Sequence, residues 1–139
     1  MSASEPGRAA TGKLTVLVVD DDARVRRALR TLIESSPDLT VAAQAATETQ
    51  TLQLDLQLEP DIVVLDLLLP AASNGLNALR ELIRRGRPVV AISISGGLRA
   101  PALGAGADAF LEKGGREMDR LLDTIRAASP RPPPSSARA

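Results

Sequence analysis

The chain has 139 residues, and 17 Lys and Arg balance 17 Asp and Glu, so the formal net charge is zero. This length favours a single domain. The sequence contains no Cys, His, Trp or Tyr, which excludes the usual zinc sites, His- or Cys-based nucleophiles, disulfides and thiol redox chemistry. A zero net charge with a single aromatic residue, Phe110, also argues against nucleic-acid binding. Any chemistry must therefore use carboxylates, hydroxyls, backbone groups, Lys or Arg.

Neither a membrane span nor a signal peptide is predicted. The apolar stretch 62–65 is interrupted by Asp66, far short of the ~18 to 20 apolar residues that cross a bilayer. Residues 1–12 are small and polar, without the apolar centre of a signal peptide. We therefore expect a cytoplasmic protein with no membrane partner. Residues 1–12 and the Pro-rich segment 129–139 are predicted to be disordered, which leaves a folded domain at residues 13–128.

Strand-like and helix-like patterns alternate along the first half of this domain. Residues 14–19 form an apolar, β-branched run that predicts a strand buried on both faces. Asp22 is placed to cap a following helix, and residues 39–46 predict a second strand. A Thr-x-x-Gln capping box favours a helix over residues 47–58, although the leucines there alternate with period two. The apolar stripe of the first helix is Val25, Ala28, Leu29, Leu32 and Ile33.

The second half continues the alternation. Residues 62–65 predict a third strand that ends at Asp66, and residues 89–94 predict a fourth. Pro101 limits the next helix to a turn or two, and a short fifth strand runs into Lys113. The helical stripes in this half are Leu76, Leu79, Leu82 and Ile83, then Met118, Leu121, Leu122 and Ile125. Together these patterns predict a (βα)5 α/β fold, which is a doubly wound parallel five-stranded sheet with functional residues at the carboxyl ends of its strands.

Those strand ends bring together Asp20, Asp21, Asp66, Ser93 and Lys113. Two carboxylates ~4 Å apart in a partly buried setting repel by ~4 kcal/mol, so three of them need compensation. The lysine supplies one positive charge, and a divalent cation would supply the rest. Because all the predicted ligands are oxygens, the expected ion is Mg²⁺. The chain has fifteen Arg but only two Lys, which indicates that this strand end needs a compact ammonium group.

Five sequence pieces in this order resemble the receiver domain of two-component response regulators, over residues 14–128. The resemblance implies a flavodoxin-like receiver fold. It also implies a phosphoprotein that takes part in phosphorelay signal transduction and is not an enzyme with a substrate of its own. The pieces are VVDDD at 18–22, PDIVVLDLLLP at 60–70, NGL at 74–76, PVVAIS at 88–93 and GADAFLEK at 106–113.

The resemblance assigns a role to each residue at the site. Asp66 would be the phosphoacceptor, a nucleophile that takes a phosphoryl group from the phosphohistidine of a sensor histidine kinase or phosphotransfer protein. Asp20 and Asp21 would hold Mg²⁺ together with Asp66. In that arrangement Asp21 is the more direct ligand, and the backbone carbonyl of Leu68 completes the site. Lys113 would pair with Asp66 at rest and with a phosphate oxygen after transfer.

Two further residues would carry the signal outward. Ser93 would bind a phosphate oxygen and pull its loop inward, and Phe110 would change rotamer in response. The signal would then pass to a downstream protein target. The surface around the fourth helix is one by which receivers commonly dimerise, so the shortened helix leaves the formation of a homodimer open.

Several positions depart from the family pattern. Gly114 stands where proline is usual after Lys113, which suggests a more flexible turn. Ile94 stands where small residues are usual, and together with Leu68 it predicts slow loss of phosphate from Asp66 because both side chains would hinder an attacking water. The loop at residues 70–75 is expected to be one residue longer than usual.

Three other functions were weighed against the phosphoacceptor. A receiver-like scaffold that binds partners without being phosphorylated remains an alternative, with Ile94 and the short fourth helix as signs of divergence. A haloacid-dehalogenase-type phosphatase ranks last, because that family needs a second Asp where this chain has Leu68. A nucleotide-binding domain is disfavoured because no glycine-rich turn follows the first strand.

Overall fold

Five strands and five helices alternate along the chain, which confirms the predicted (βα)5 organisation. The computed structural model describes residues 12–69 and 75–129, so the predictions for the two chain ends and the longer loop fall largely outside the described residues. The strands are Leu14–Val19 (β1), Leu39–Ala45 (β2), Ile62–Asp66 (β3), Val89–Ser93 (β4) and Ala109–Glu112 (β5). The helices are Ala23–Glu34 (α1), Glu48–Leu58 (α2), Gly75–Arg84 (α3), Arg99–Gly104 (α4) and Leu121–Ala128 (α5). Two 3-10 turns, Gly96–Leu98 and Arg116–Arg120, precede α4 and α5.

The five strands form one parallel sheet in the order β2-β1-β3-β4-β5. Every residue of β3 and β4 is buried, and so are all but the first residue of β1. This burial on both faces is why these strands read as continuous apolar runs rather than alternating ones. The order places β1 and β3 side by side, so that their carboxyl ends open on the same part of the sheet edge.

Two apolar cores cover the two faces of the sheet. On one face, Leu29 and Ile33 of α1 pack with Leu121 and Ile125 of α5 against β1, β3 and β4. On the other face, helices α2, α3 and α4 pack against the same central strands. Helices on both faces confirm the doubly wound arrangement. In the part of the chain that the structure describes, no helix has the length and apolar character needed to span a bilayer.

The residues at the start of α1 and α2 form the helix caps that the sequence predicts. The Asp22 side chain accepts the Arg24 N–H at 2.8 Å and caps α1. The Thr47 hydroxyl accepts the Gln50 N–H at 3.1 Å, and the Gln50 side chain accepts the Ala46 N–H at 2.8 Å. This reciprocal capping explains why the leucine-rich segment forms the helix α2 rather than a strand.

The predicted apolar stripes are correct in position but too wide in α1. Leu29 and Ile33 are buried, whereas Ala28 and Leu32 are exposed, because α1 touches the sheet along a narrower face than the five-residue stripe implied. Helix α4 has six residues, as the prediction of a shortened fourth helix requires. Pro101 is the third residue of α4, where its missing N–H removes no hydrogen bond within the helix.

Candidate functional site

A cleft of about 510 Å³ opens at the carboxyl ends of β1 and β3. Five of the predicted site residues lie on its wall, namely Asp20, Asp21, Asp66, Leu68 and Lys113. The remaining lining residues are Asp22, Val25, Leu29, Ile94, Gly114 and Met118. The cleft therefore has an acidic floor with one ammonium group, and largely apolar sides.

Asp66 is the last residue of β3, and only 1 % of its surface is exposed. Its Oδ1 accepts the Leu68 N–H at 3.0 Å, and its Oδ2 accepts a hydrogen bond from Lys113 Nζ at 3.2 Å. Burial raises the pKa of the Asp66 carboxyl, and the neighbouring Asp20 carboxylate raises it further, against the opposing effects of the Leu68 N–H and Lys113. An ionised Asp66 thus depends on nearby positive charge.

The Lys113 ammonium bridges two carboxylates instead of pairing with one. Its Nζ lies 2.8 Å from Asp20 Oδ2 and 3.2 Å from Asp66 Oδ2. The predicted resting pair of Lys113 with Asp66 is present, and Asp20 is an additional and closer partner. Burial of the ammonium would lower the pKa of Lys113, but hydrogen bonding to Asp20 and the charges of both carboxylates outweigh it and raise the pKa.

Asp20 is held by hydrogen bonds at each of its polar groups. Its N–H donates to Ala45 O at 3.1 Å, and its Oδ1 accepts the Asp22 N–H at 2.9 Å, while Oδ2 accepts from Lys113. Arg26 Nη1 donates to the Asp20 carbonyl at 2.6 Å, a contact that the sequence analysis missed. Its position one helical turn after Asp22 was the available signal, because that spacing returns a side chain to the start of α1.

The three aspartates present oxygens close enough together to share a metal ion. One carboxylate oxygen from each of Asp20, Asp21 and Asp66 lies within 4.8 Å of the others. Asp21 is exposed, whereas Asp20 and Asp66 are buried. Oxygen-only ligands with room for water match the preference of Mg²⁺, so the residues present fit this ion.

Ser93 and Phe110 are buried but do not line the cleft. The Ser93 hydroxyl accepts the Ser95 N–H at 3.0 Å, and the Ser93 carbonyl accepts the Lys113 N–H at 2.8 Å. Phe110 lies in the core that faces α3 and α4, with the Arg99 guanidinium 4.8 Å from the centre of its ring. Ser93 is therefore joined to the site through the Lys113 backbone, and Phe110 belongs to the core beneath α3 and α4.

Two further features surround Asp66. At the rim of the cleft, Ile94 is 66 % exposed and Leu68 is 43 % exposed, and both line the same cleft as the Asp66 carboxylate. Behind it, Gly75 packs on the backbone: a Cβ there would lie 2.4 Å from Leu67 Cα and 2.7 Å from Asp66 O. The Gly75 N–H also donates to Leu67 O at 3.1 Å. A side chain at position 75 would therefore displace the backbone that carries Asp66.

Comparison with known proteins yields consistent matches. A family model described as "Response regulator receiver domain" matches residues 16–126. The chain is 42 % identical over 99 residues to a protein-glutamate methylesterase/protein-glutamine glutaminase of Symbiobacterium thermophilum, a match that covers 66 % of this chain and 27 % of that protein. It is 36 % identical over 120 residues to the nitrate/nitrite response regulator protein NarL of Escherichia coli, covering 83 % of this chain and 54 % of NarL.

The solved structures agree with the sequence relatives. The response regulator domain of Thermotoga maritima CheB superposes with a TM-score of 0.75 at 29 % identity, covering 84 % of this chain and 96 % of that one. The chain spans between about a quarter and about half the length of the curated relatives described above.

Proposed function

This chain belongs to the response regulator receiver domain family of two-component signal transduction, and on that basis we propose that Asp66 accepts a phosphoryl group from a phosphohistidine. The donor would be a sensor histidine kinase or a phosphotransfer protein. The observation that carries the proposal is the arrangement around Asp66, a buried nucleophilic carboxylate with Lys113 within hydrogen-bonding distance and two further aspartates beside it. Phosphoryl transfer requires mainly such positioning and charge neutralisation.

Receiver domains bind Mg²⁺ at an acidic pocket, and we assign that role here to Asp21, Asp20, Asp66 and the Leu68 carbonyl. Asp21 is the exposed member, so it is the carboxylate most open to direct coordination. Asp20 already holds Lys113 and the Asp22 N–H. When bound, Mg²⁺ would supply the positive charge that three carboxylates and one ammonium lack, and that the incoming phosphoryl oxygens also need.

In the transfer step, an Asp66 carboxylate oxygen attacks the phosphorus atom and a new O–P bond forms. The P–N bond to the donor imidazole breaks, and its electron pair leaves with the nitrogen. Lys113, which already bridges Asp20 and Asp66, would then donate to a phosphate oxygen. No proton needs to be taken from Asp66, because the nucleophile is the ionised carboxylate.

We propose that Ser93 and Phe110 relay the change. For the Ser93 hydroxyl to reach a phosphate oxygen, it must exchange its hydrogen bond from the Ser95 N–H for one to the phosphate, which would draw the segment after β4 inward. Phe110 lies on β5 opposite Ala91 of β4 and contacts Arg99 of α4, and a rotamer change of its ring would alter the surface at α4. A downstream protein that reads this surface is the proposed target.

The matched methylesterase relatives share only about a quarter of their length with this chain, so their activity is not carried over to it. We propose a cytoplasmic phosphoacceptor that has no substrate of its own, and the formation of a homodimer stays open. The alternative function is a receiver-like scaffold, which is favoured by the exposed Ile94 at the rim of the cleft.

Intact mass after incubation with acetyl phosphate and Mg²⁺ separates the two functions. The proposal expects a gain of about 80 Da, the mass of one phosphoryl group, in the wild-type protein. Asp66→Asn should show no gain, whereas the matched control Asp123→Asn, at an exposed position on α5, should behave as wild type. Beryllofluoride should bind saturably to wild type in the presence of Mg²⁺ and not to Asp66→Asn. No mass gain together with no beryllofluoride binding in wild type would favour the scaffold.

A further inference from the structure

One arginine joins three elements beside the site. Arg99, the first residue of α4, donates from Nη2 to both carboxylate oxygens of Glu117, at 2.7 and 2.6 Å. Its Nη1 donates to Phe110 O on β5 at 3.3 Å, and its guanidinium lies over the Phe110 ring. Glu117 belongs to the 3-10 turn that precedes α5. One nitrogen of Arg99 donates to both carboxylate oxygens, and the further contacts at both ends give this pair a defined geometry that an isolated surface pair lacks.

Glu117 extends this connection to the backbone next to the catalytic lysine. Its Oε1 accepts the Glu112 N–H at 2.9 Å, in addition to the hydrogen bond from Arg99. Glu112 is the last residue of β5, and the next residue, Lys113, donates its own N–H to Ser93 O at 2.8 Å. Two consecutive peptide N–H groups are therefore anchored, one by β4 and one by Glu117.

The chain beyond Lys113 has little else to hold it. Gly114 has φ +79°, and no atom of the described residues lies within 4 Å of the position that a Cβ would take at Gly114 or at Gly115. Two adjacent glycines without side-chain contacts leave this turn with large conformational freedom. The position of the Lys113 side chain must then be defined from the β5 side.

We propose that Glu117, anchored by Arg99, is a positioning residue for Lys113 and does the work that a rigid turn after the lysine would otherwise do. The carboxylate fixes the Glu112 peptide, and the fixed peptide sets the direction in which Lys113 leaves β5 towards Asp20 and Asp66. Because Arg99 also covers Phe110, the same pair connects the lysine to the α4 surface. The inference rests on the proposed function for the catalytic role of Lys113, but its geometric part does not.

The kinetic test compares variants under saturating Mg²⁺ and acetyl phosphate. In Glu117→Ala, the phosphorylation rate should fall about tenfold, because small misplacements of a catalytic group are costly. The Mg²⁺ dissociation constant from calorimetry should stay unchanged, since Asp20, Asp21 and Leu68 are untouched. Glu117→Gln keeps an oxygen for the Glu112 N–H and should lose less. Arg84→Gln removes another arginine–glutamate pair, in which Arg84 Nε and Nη2 donate to the two oxygens of Glu81 on α3, and should match wild type.

A spectroscopic test needs neither Mg²⁺ nor phosphate. The chain has two lysines and one phenylalanine, so NMR spectra of lysine-labelled protein contain the side-chain signals of Lys113 and Lys13 alone. In Glu117→Ala, the Lys113 signals should shift and the Lys13 signals should stay in place. Phenylalanine-labelled protein gives the side-chain signal of Phe110, which should shift as well, and in uniformly 15N-labelled protein the Glu112 amide should exchange faster.

The outcomes are distinguishable. Wild-type Lys113 signals and Glu112 protection in Glu117→Ala, or a rate equal to that of Arg84→Gln, would overturn the positioning role. An equal loss of Mg²⁺ affinity and rate would also overturn it, since that pattern indicates general damage to the site. If Glu117→Ala does not fold, Glu117→Gln and Arg99→Gln decide by the same measurements. If wild type itself gains no phosphate, the proposed function fails while the NMR comparison still decides the geometry.

Discussion

Two buried aspartates at opposite ends of the sheet have contrasting environments. Asp66, at the carboxyl edge, and Asp55, on α2 near the amino ends of β3 and β4, are each 1 % exposed. Asp55 faces two guanidinium groups, with Arg85 Nη1 at 3.0 Å and Arg87 Nε at 2.6 Å. Arg87 also donates to Pro60 O at 2.8 Å. Arg85 Nε in turn pairs with Glu81 at 2.9 Å, so two guanidinium groups meet two carboxylates, and the cluster ties α2 to the segment that enters β4.

At the carboxyl edge the charges are not balanced. Three carboxylates share one ammonium group, and burial raises the pKa of Asp66. A buried carboxylate without enough positive charge nearby costs stability. At the Asp55 cluster the fold avoids this cost, because arginines lie beside the carboxylate. Charge compensation thus distinguishes a structural aspartate from one that is kept available for a cation and a phosphoryl group.

Removing the buried Asp55 carboxylate should cause the largest loss of stability. Asp55→Asn leaves Arg87 without its carboxylate and Arg85 with Glu81 alone, and should lower the free energy of unfolding by about 3 kcal/mol. Urea unfolding followed by circular dichroism measures this loss. Asp123→Asn breaks an exposed pair with Arg126 and should leave the midpoint in place. A midpoint shared by both variants would show that the Asp55 cluster is not a structural tether.

Crowding the backbone that carries Asp66 should cause the second largest loss of stability. Gly75→Ala puts a methyl group 2.4 Å from Leu67 Cα and should cost about 2 kcal/mol by overpacking. The phosphorylation rate should fall with it, because Asp66 O is the next nearest atom. Gly104→Ala is the matched control: no described atom lies within 4 Å of its added Cβ, and its stability should be equal or slightly higher. Equal stability of the two variants would contradict the close approach.

Adding the missing positive charge should stabilise the carboxyl edge. At ten times its dissociation constant, Mg²⁺ should raise the free energy of unfolding by about 1.4 kcal/mol through mass action. Asp21→Asn should abolish most of this gain, and K⁺ at equal ionic strength should not reproduce it. A Tm that rises equally in wild type and Asp21→Asn would place the ion elsewhere.

Removing the uncompensated charge should also stabilise the protein. Because burial raises the folded-state pKa of Asp66 above its unfolded value, the ionised carboxyl destabilises the fold at every pH above that folded pKa. Asp66→Asn should therefore raise the free energy of unfolding at pH 7 by about 1 kcal/mol. The advantage should shrink as the pH falls through the folded pKa towards the ordinary range of Asp. A constant difference at all pH values would contradict this origin.

Substitution at the apolar rim of the cleft should have the smallest effect, and that effect is on the rate of phosphate loss. Leu68 and Ile94 beside Asp66 should hinder an attacking water, so the phosphorylated protein should persist for minutes or longer. Ile94→Ala should speed phosphate loss about threefold, or about 0.7 kcal/mol in barrier height. Leu56→Ala, at an equally exposed leucine on α2, should not change the rate. A wild-type half-life of seconds would rule out shielding by the rim.

The sequence alone predicted the sheet and most of the candidate site for identifiable reasons. Buried strands of a parallel sheet are recognisable because both of their faces are apolar, as in β1, β3 and β4. Their carboxyl ends share one edge, so the positions of Asp20, Asp21, Asp66 and Lys113 at the strand ends predict that these residues lie together. The capping residues of α1 and α2 were equally readable, since a cap involves neighbours within three residues.

Other features depend on distances between elements that no local pattern contains. The additional Asp20 contact of Lys113 joins residues far apart along the chain, and so do the pairing of Asp55 with Arg85 and Arg87 and that of Arg99 with Glu117. The close approach of Gly75 to the Asp66 backbone likewise follows from how α3 seats on β3. The sequence thus determined which groups share the site, because periodicity is a local property and parallel strands end at one edge of their sheet. Only the tertiary structure decided which charges are paired, because pairing depends on the packing of whole elements.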